Sequence, residues 1–267
     1  MKRSWKKLLL KLLNPLDYAS RVLNNKTHLP PLDLRWDVGP LKNFESSAAE
    51  FRVYLKMFAG LSPSSRVLDI GCGCGQIALE LREELDSGGR YTGCDIHSAA
   101  IEWCKSNIRD NRFSFFHIDV KNGMYNPQGT ESATDFRFPI KEHFDVILLK
   151  SVFTHLLTDE MENYLSQLNG LLADGGKCLA TFFLLNDRQK KLAEQEKNSI
   201  HFHNHDGIVA FANARVPEAI VAFNEIKLLE LFRKHRLEII QSILYGSWAG
   251  DKSGLSHQDL VILQKLS

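Results

Sequence analysis

The segment Asp69-Ile70-Gly71-Cys72-Gly73-Cys74-Gly75-Gln76 narrows the folds open to this chain more than any other. Three glycines at alternate positions sit between an apolar run at 67–70 and a helical pattern that puts Ile77, Ala78, Leu81 and Leu85 on one face. Glycine lets the backbone turn sharply at a strand-to-helix junction and leaves no side chain between main chain and ligand. A second strand is expected at 90–95. It ends in Asp95, about 20 residues past the loop, where a carboxylate can accept both hydroxyls of a ribose. Strand, glycine loop, helix and acidic strand end make a βαβ unit built around a nucleoside.

The alternation continues along the chain. Ser98 opens a helix with Ile101, Cys104 and Ile108 on one side, and strands are expected at 113–119, 144–149 and 177–185. The last two are apolar without a break, as parallel strands covered on both faces require. Between them Thr158 is expected to cap a helix with Asp159, Glu160 and Glu162 in its first turn, ended by Asp174-Gly175-Gly176. A helix at 224–235 and strands at 237–245 and 259–263 complete a doubly wound α/β pattern. Residues 1–43 read as an N-terminal helix and connector and 44–267 as the main domain. Within it 186–223 loses all periodicity, and a polar stretch of that length in a compact domain is usually a lid or substrate insert.

At the start, Leu8, Leu9, Leu12, Leu13 and Leu16 recur at helical spacing opposite Lys2, Arg3, Lys6, Lys7 and Lys11. This predicts a short amphipathic helix ending near Asn14-Pro15, with an extended connector over 24–40. Three targets stay open for residues 1–13: a flap whose leucines close over the main domain, a basic helix lying on an anionic membrane surface, and a partner protein. Residues 8–10 are too short for a secretory apolar region, and no apolar run approaches the roughly 20 residues that cross a bilayer. Thirty-three basic against 32 acidic side chains leave a net charge of +1. That lacks the basic excess of a dedicated nucleic-acid binder. The five cysteines, Cys72, Cys74, Cys94, Cys104 and Cys178, form no CxxC pair and no disulfide framework. A reducing, cytoplasmic setting follows, at most peripheral to the inner face of a membrane.

Dinucleotide folds use G-x-G-x-x-G and set a pyrophosphate on the helix N-terminus, whereas this loop is G-x-G-x-G with Asp69 before it. A carboxylate there repels a pyrophosphate and attracts an ammonium or sulfonium group. With that sign settled, the chain resembles the class I S-adenosylmethionine-dependent methyltransferases through VLDIGCGCG, GCDI, FHIDV, FDVILLKSVFTHL and LLADGGKCLATFF, over 66–185 and more weakly at 259–261. The resemblance implies a Rossmann-like sheet of seven strands, mostly parallel with the last antiparallel, and S-adenosylmethionine as cofactor. It sets Gly71, Gly73 and Gly75 against the methionine portion beside Asp69 and Gln76, Asp95 on the ribose and Ile96 on the adenine. Asp119 and Val120 fall near the adenine amino group, and Lys150 and Ser151 under the sulfonium. No metal is expected: the cofactor takes the place where Cys72, Cys74 and Cys94 could gather zinc. Arg35 reads equally as a clamp for the cofactor carboxylate or a surface arginine.

Methyl transfer asks the protein to place an acceptor, remove water and, for a hydroxyl, take up a proton. His155, just past the fourth strand, is the candidate base, with a histidine packed behind the pocket as the alternative. His203, from the His201, His203, His205 and Asp206 group, is expected to line the acceptor pocket with Tyr245 and Trp248, whose aromatic faces suit a sugar; Trp248 could instead seal the core. The stretch Lys150-Ser151-Val152-Phe153 stands where the superfamily keeps N/D-P-P-Y/F for nucleobase amines, which argues against nucleic acid. The expectation is methylation of a small molecule, foremost a hydroxyl of a sugar, glycosylated or lipidic intermediate. The rival reading is a non-catalytic adenosylmethionine-fold module serving as a partner or membrane platform.

Overall fold

A computed structural model describes residues 2–195 and 200–266. The helices are α1 (Lys2–Leu23), α2 (Leu32–Val38), α3 (Phe44–Ala59), α4 (Gln76–Leu81), α5 (Ser98–Asn107), α6 (Thr158–Leu171), α7 (Asp187–Gln195) and α8 (Glu225–Lys234). The main strands are β1 (Arg66–Ile70), β2 (Arg90–Asp95), β3 (Phe113–His117), β4 (Phe144–Leu149), β5 (Leu172–Phe182), β10 (Leu237–Ile239) and β11 (Asp259–Lys265). They form a seven-stranded sheet in the order β10-β11-β5-β4-β1-β2-β3. Only β11 runs against its neighbours β5 and β10. The doubly wound α/β sheet with a reversed last strand is therefore present.

Alternation within the central strands explains why their sequence is apolar throughout. Leu68, Ile70, Ile147 and Leu149 enter one buried layer with Phe153, Phe182 and Phe232, while Val67, Val146 and Leu148 enter the opposite layer with Leu55, Ile77 and Leu81. From β1 the chain winds one way to β2 and β3 and the other way to β4 and β5, so the carboxyl ends of β1 and β4 flank a switch point where open α/β sheets bind ligands.

Several local expectations need correction. α1 does not stop at Asn14-Pro15 but runs through Pro15 to Leu23. Pro15 is exposed, so water can satisfy the carbonyl that loses its helical donor. The connector contains α2, and Pro31 supplies its N-cap position. α6 is not capped by Thr158; the Glu160 carboxylate accepts the Leu157 N–H at 2.8 Å, and Thr158 instead donates to Asp206. α6 ends at Leu171 and β5 starts at Leu172, so Asp174-Gly175-Gly176 lie inside an irregular start of β5 rather than at a helix end.

Among its described residues the stretch 186–223 is not one long loop either. After α7 it folds with β6 (Leu184–Leu185) into a second sheet whose other strands are β7 (His203–Asn204), β8 (Val209–Phe211) and β9 (Val221–Asn224), in the order β6-β9-β8-β7. Asp259 fastens the two sheets. One of its oxygens accepts from the Leu184 N–H at 2.7 Å and Trp248 Nε1 at 2.9 Å, the other from the Gly246 N–H at 2.7 Å and Gln189 Nε2 at 3.2 Å.

Candidate cofactor and active site

The loop after β1 is shaped by positive backbone angles: φ is +79° at Gly71, +54° at Gly73 and +75° at Gly75. Side chains rarely adopt this region. Space forbids them as well, since a Cβ on Gly71 would lie 2.4 Å from Val152 and one on Gly73 2.9 Å from Val38. The Gly71 and Cys72 N–H groups donate to the Cys94 carbonyl at 2.8 and 3.0 Å, which ties the loop to the end of β2. There the Asp95 carboxylate accepts the Gly73 N–H on one oxygen and the His97 N–H on the other, both at 2.7 Å. A carboxylate has about four acceptor sites, so each oxygen keeps capacity for a ligand hydroxyl.

A cavity of about 700 Å³ opens over this loop and is lined by Asp69, Gly71, Gly73, Gln76, Asp95, Ile96, Val120, Lys150, Ser151 and His155, among others. Asp69 is buried at its base and accepts a hydrogen bond from the Tyr91 hydroxyl. Burial pushes its carboxyl up to about 7, against the opposing pull of Tyr91 and of Lys150. Lys150 is itself held down to about 8 by burial, with Asp69 the chief opposing charge. Its ammonium donates to Ser47 Oγ at 2.9 Å and Gln76 Oε1 at 2.5 Å and lies over the Phe51 ring, 4.6 Å from the centroid. The base of the cavity thus holds carboxylates poised to meet positive charge.

At the other end, β4 leads into Ser151, whose φ of +58° is strained for a residue with a side chain. Thr181 Oγ1 accepts the Ser151 N–H at 2.7 Å, and Gln258 Oε1 accepts Ser151 Oγ at 2.8 Å and Thr181 Oγ1 at 2.6 Å. This fixes the turn that delivers His155. His155 Nδ1 is 2.8 Å from the Glu218 carbonyl oxygen. A carbonyl only accepts, so Nδ1 carries the proton, and in the neutral ring Nε2 bears the lone pair. That atom lies 3.4 Å from the Tyr125 hydroxyl, and the two rings meet edge to face at 5.1 Å. Both residues line the cavity.

Other expected site residues fall elsewhere. Gly75 packs behind the loop, where a Cβ would strike Ile108 and Cys104. Asp119 turns away from the cavity to accept from Thr130 and Asn126. Tyr245 donates to Glu225, and Trp248 is buried with its indole N–H on Asp259, so the core-sealing alternative describes it. His203 lies exposed on β7, outside the cavity lining. Arg35 pairs with Asp17 and donates to the Pro30 carbonyl, joining α2 to α1. All five cysteines are buried and unpaired, and no metal-ligating cluster occurs among the described residues. Sequence reasoning missed Trp36, Asp37, His97 and Tyr125 on the cavity wall. Tyr125 sits in a loop without periodicity, and α2 lies in a stretch whose prolines had suggested only a connector.

Residues 68–178 match a family model described as a methyltransferase domain. These residues carry a methyltransferase domain, and the sheet around them has the class I S-adenosylmethionine-dependent methyltransferase fold. Among curated relatives, the tRNA N(3)-cytidine methyltransferase METTL2 of Xenopus tropicalis is 34% identical over 46% of this chain and 34% of its own length. The human METTL2B, also a tRNA N(3)-cytidine methyltransferase, is 25% identical over 60% of this chain and 39% of its own. The chain thus spans between a third and two-fifths of these relatives. Among solved structures, 1,6-didemethyltoxoflavin-N1-methyltransferase of Burkholderia thailandensis, with bound S-adenosylhomocysteine, superposes with a TM-score of 0.51 at 16% identity, covering 95% of this chain and 91% of that one. The family's cofactor is S-adenosylmethionine. The site here fits that molecule: a glycine cradle closed to any Cβ, a strand-end carboxylate with remaining acceptor capacity, apolar walls at Ile96 and Val120, and buried acid at the base.

Proposed function

We propose that this chain transfers a methyl group from S-adenosylmethionine to a hydroxyl of a small-molecule acceptor, such as a sugar, glycosylated or lipidic intermediate. In this reading Gly71 and Gly73 border the methionine portion, Asp95 takes the ribose diol, Ile96 and Val120 flank the adenine, and Asp69 faces the cationic groups. The cofactor, when bound, supplies an electrophilic methyl group that needs no further activation. The protein's share is to hold the acceptor in line, keep water out and receive its proton. The observation that carries the reading is the Nδ1–H of His155 on the Glu218 carbonyl, which leaves Nε2 as a proton acceptor at the cavity wall beside Tyr125.

The names of the curated relatives favour a second reading, a ring nitrogen of a tRNA base. A neutral ring nitrogen already offers a lone pair and needs no base. The cavity also carries Asp37, Asp69 and Asp95 against Lys121 and Lys150, a poor lining for a phosphate backbone.

The two readings part in one assay: a cell extract is incubated with the protein and methyl-labelled cofactor, then divided into RNA and small-molecule fractions. Label in small molecules, with kcat falling about 10²-fold in His155→Asn while cofactor affinity holds, is the expected result. Label confined to RNA, or an unchanged kcat, overturns it; absence of methyl transfer to any acceptor favours a binding module.

A further inference from the structure

α1 contacts the body through its polar side. Lys7, Leu10, Asn14, Asp17 and Arg21, spaced as one helical face, are its least exposed positions, and every other described position from Trp5 to Leu23 is exposed. Lys7 pairs with Asp37, Asn14 donates to Asp33 at 2.8 Å, Asp17 pairs with Arg35, and Arg21 donates to the Leu29 carbonyl. The flap expected from the leucine spacing is therefore inverted. Trp5, Leu8, Leu9, Leu12, Leu16 and Leu23 form the outer face, with Leu12 and Leu16 each 70% exposed and Leu23 85%.

We infer that α1 lies flat on an anionic lipid surface, its apolar face in the headgroup layer and Lys6 and Lys11 against the phosphates. An isolated surface leucine needs no explanation, but a continuous stripe along a helix otherwise held by ion pairs does. Charge selects the occupant. No acidic residue precedes Asp17, and Lys6 and Lys11 are exposed along the rims of the stripe. A second copy packed face to face would bring these lysine rims together, and a nucleic acid would meet the lysines but leave the leucines in water. An anionic bilayer answers both at once. α1 is bound to α2, and Trp36, Asp37 and Val38 of α2 line the large cavity, so this orientation sets the cavity rim about one helix diameter, roughly 10 Å, from the headgroups. The inference stands apart from the choice of acceptor and from methyl transfer itself.

The test is flotation of the full chain with vesicles of equal phosphatidylglycerol and phosphatidylcholine, and with phosphatidylcholine alone. Wild type is expected to float with the anionic vesicles at least about tenfold more than with the neutral ones. Leu12→Glu/Leu16→Glu is expected to stay in the soluble fraction with an unchanged melting temperature, because both side chains already face solvent. Lys6→Glu/Lys11→Glu keeps the leucines and is expected to lose the preference for anionic vesicles. The proposal is overturned if wild type does not float, or if Leu12→Glu/Leu16→Glu floats like wild type. It is equally overturned if wild type stays soluble as a dimer that this variant splits, or if it stays soluble and is retarded by tRNA.

Discussion

Asp69 concentrates the electrostatics of the site in one side chain. Its carboxyl titrates near 7 because burial outweighs Tyr91 and Lys150, so it gains its charge within the working range of the cell. Above that point a carboxylate faces the cation-binding end of the cavity; below it a neutral acid does. Calorimetric titration with S-adenosylmethionine between pH 6 and 8 should show affinity falling as pH drops through about 7, and Asp69→Asn should abolish that dependence. Stability moves the other way. A carboxyl raised from about 3.9 in the unfolded chain binds an extra proton in the folded state, so its stabilising effect is full below that value and is lost as pH rises through 7. Urea melts across this window should flatten in Asp69→Asn.

Elements differ in how plainly the sequence announced them. β1, β2 and β4 were legible because their residues are apolar on both faces or end in an acid at a glycine turn, and no other element type suits such short runs. The strands of the second sheet are two to four residues long, too short for any period to register. α1 was legible as an amphipath but not in its orientation, because spacing shows that two faces differ and cannot say which one finds ionic partners. For the same reason the glycine loop, Asp95 and His155 could be placed from their neighbours in sequence, whereas Tyr125 and Trp36 reach the cavity only through tertiary folding. The join between α1 and α2 rests on Asp17, which holds both Arg21 and Arg35. Asp17→Ala should cost about 1–3 kcal/mol by leaving shielded guanidinium groups without a counter-charge. Because α2 walls the cavity, it should also weaken S-adenosylmethionine binding severalfold; thermal melts and titration of the same variant check both.

On the scale of the whole molecule, the two sheets depend on Asp259, whose carboxylate collects four N–H donors from the β6 strand, α7 and the segment before β11. Asp259→Ala strands these donors in the interior at a cost of more than about 3 kcal/mol. For a chain of this size that lowers the melting temperature by at least about 6 °C. Differential scanning calorimetry reads the shift, and Asp259→Asn, which can still accept from part of the set, should lie between the two.

The position of β11 bears on how the molecule is made. Although it follows β1 to β10 in sequence, it is inserted between β5 and β10, and Gln258 and Asp259 arrive with it. A ribosome-bound chain that has already emitted β1 to β10 therefore has an unzipped seam in its main sheet, with the Ser151 turn still lacking its amide brace. The turn that delivers His155 is thus braced only once β11 has paired with β5.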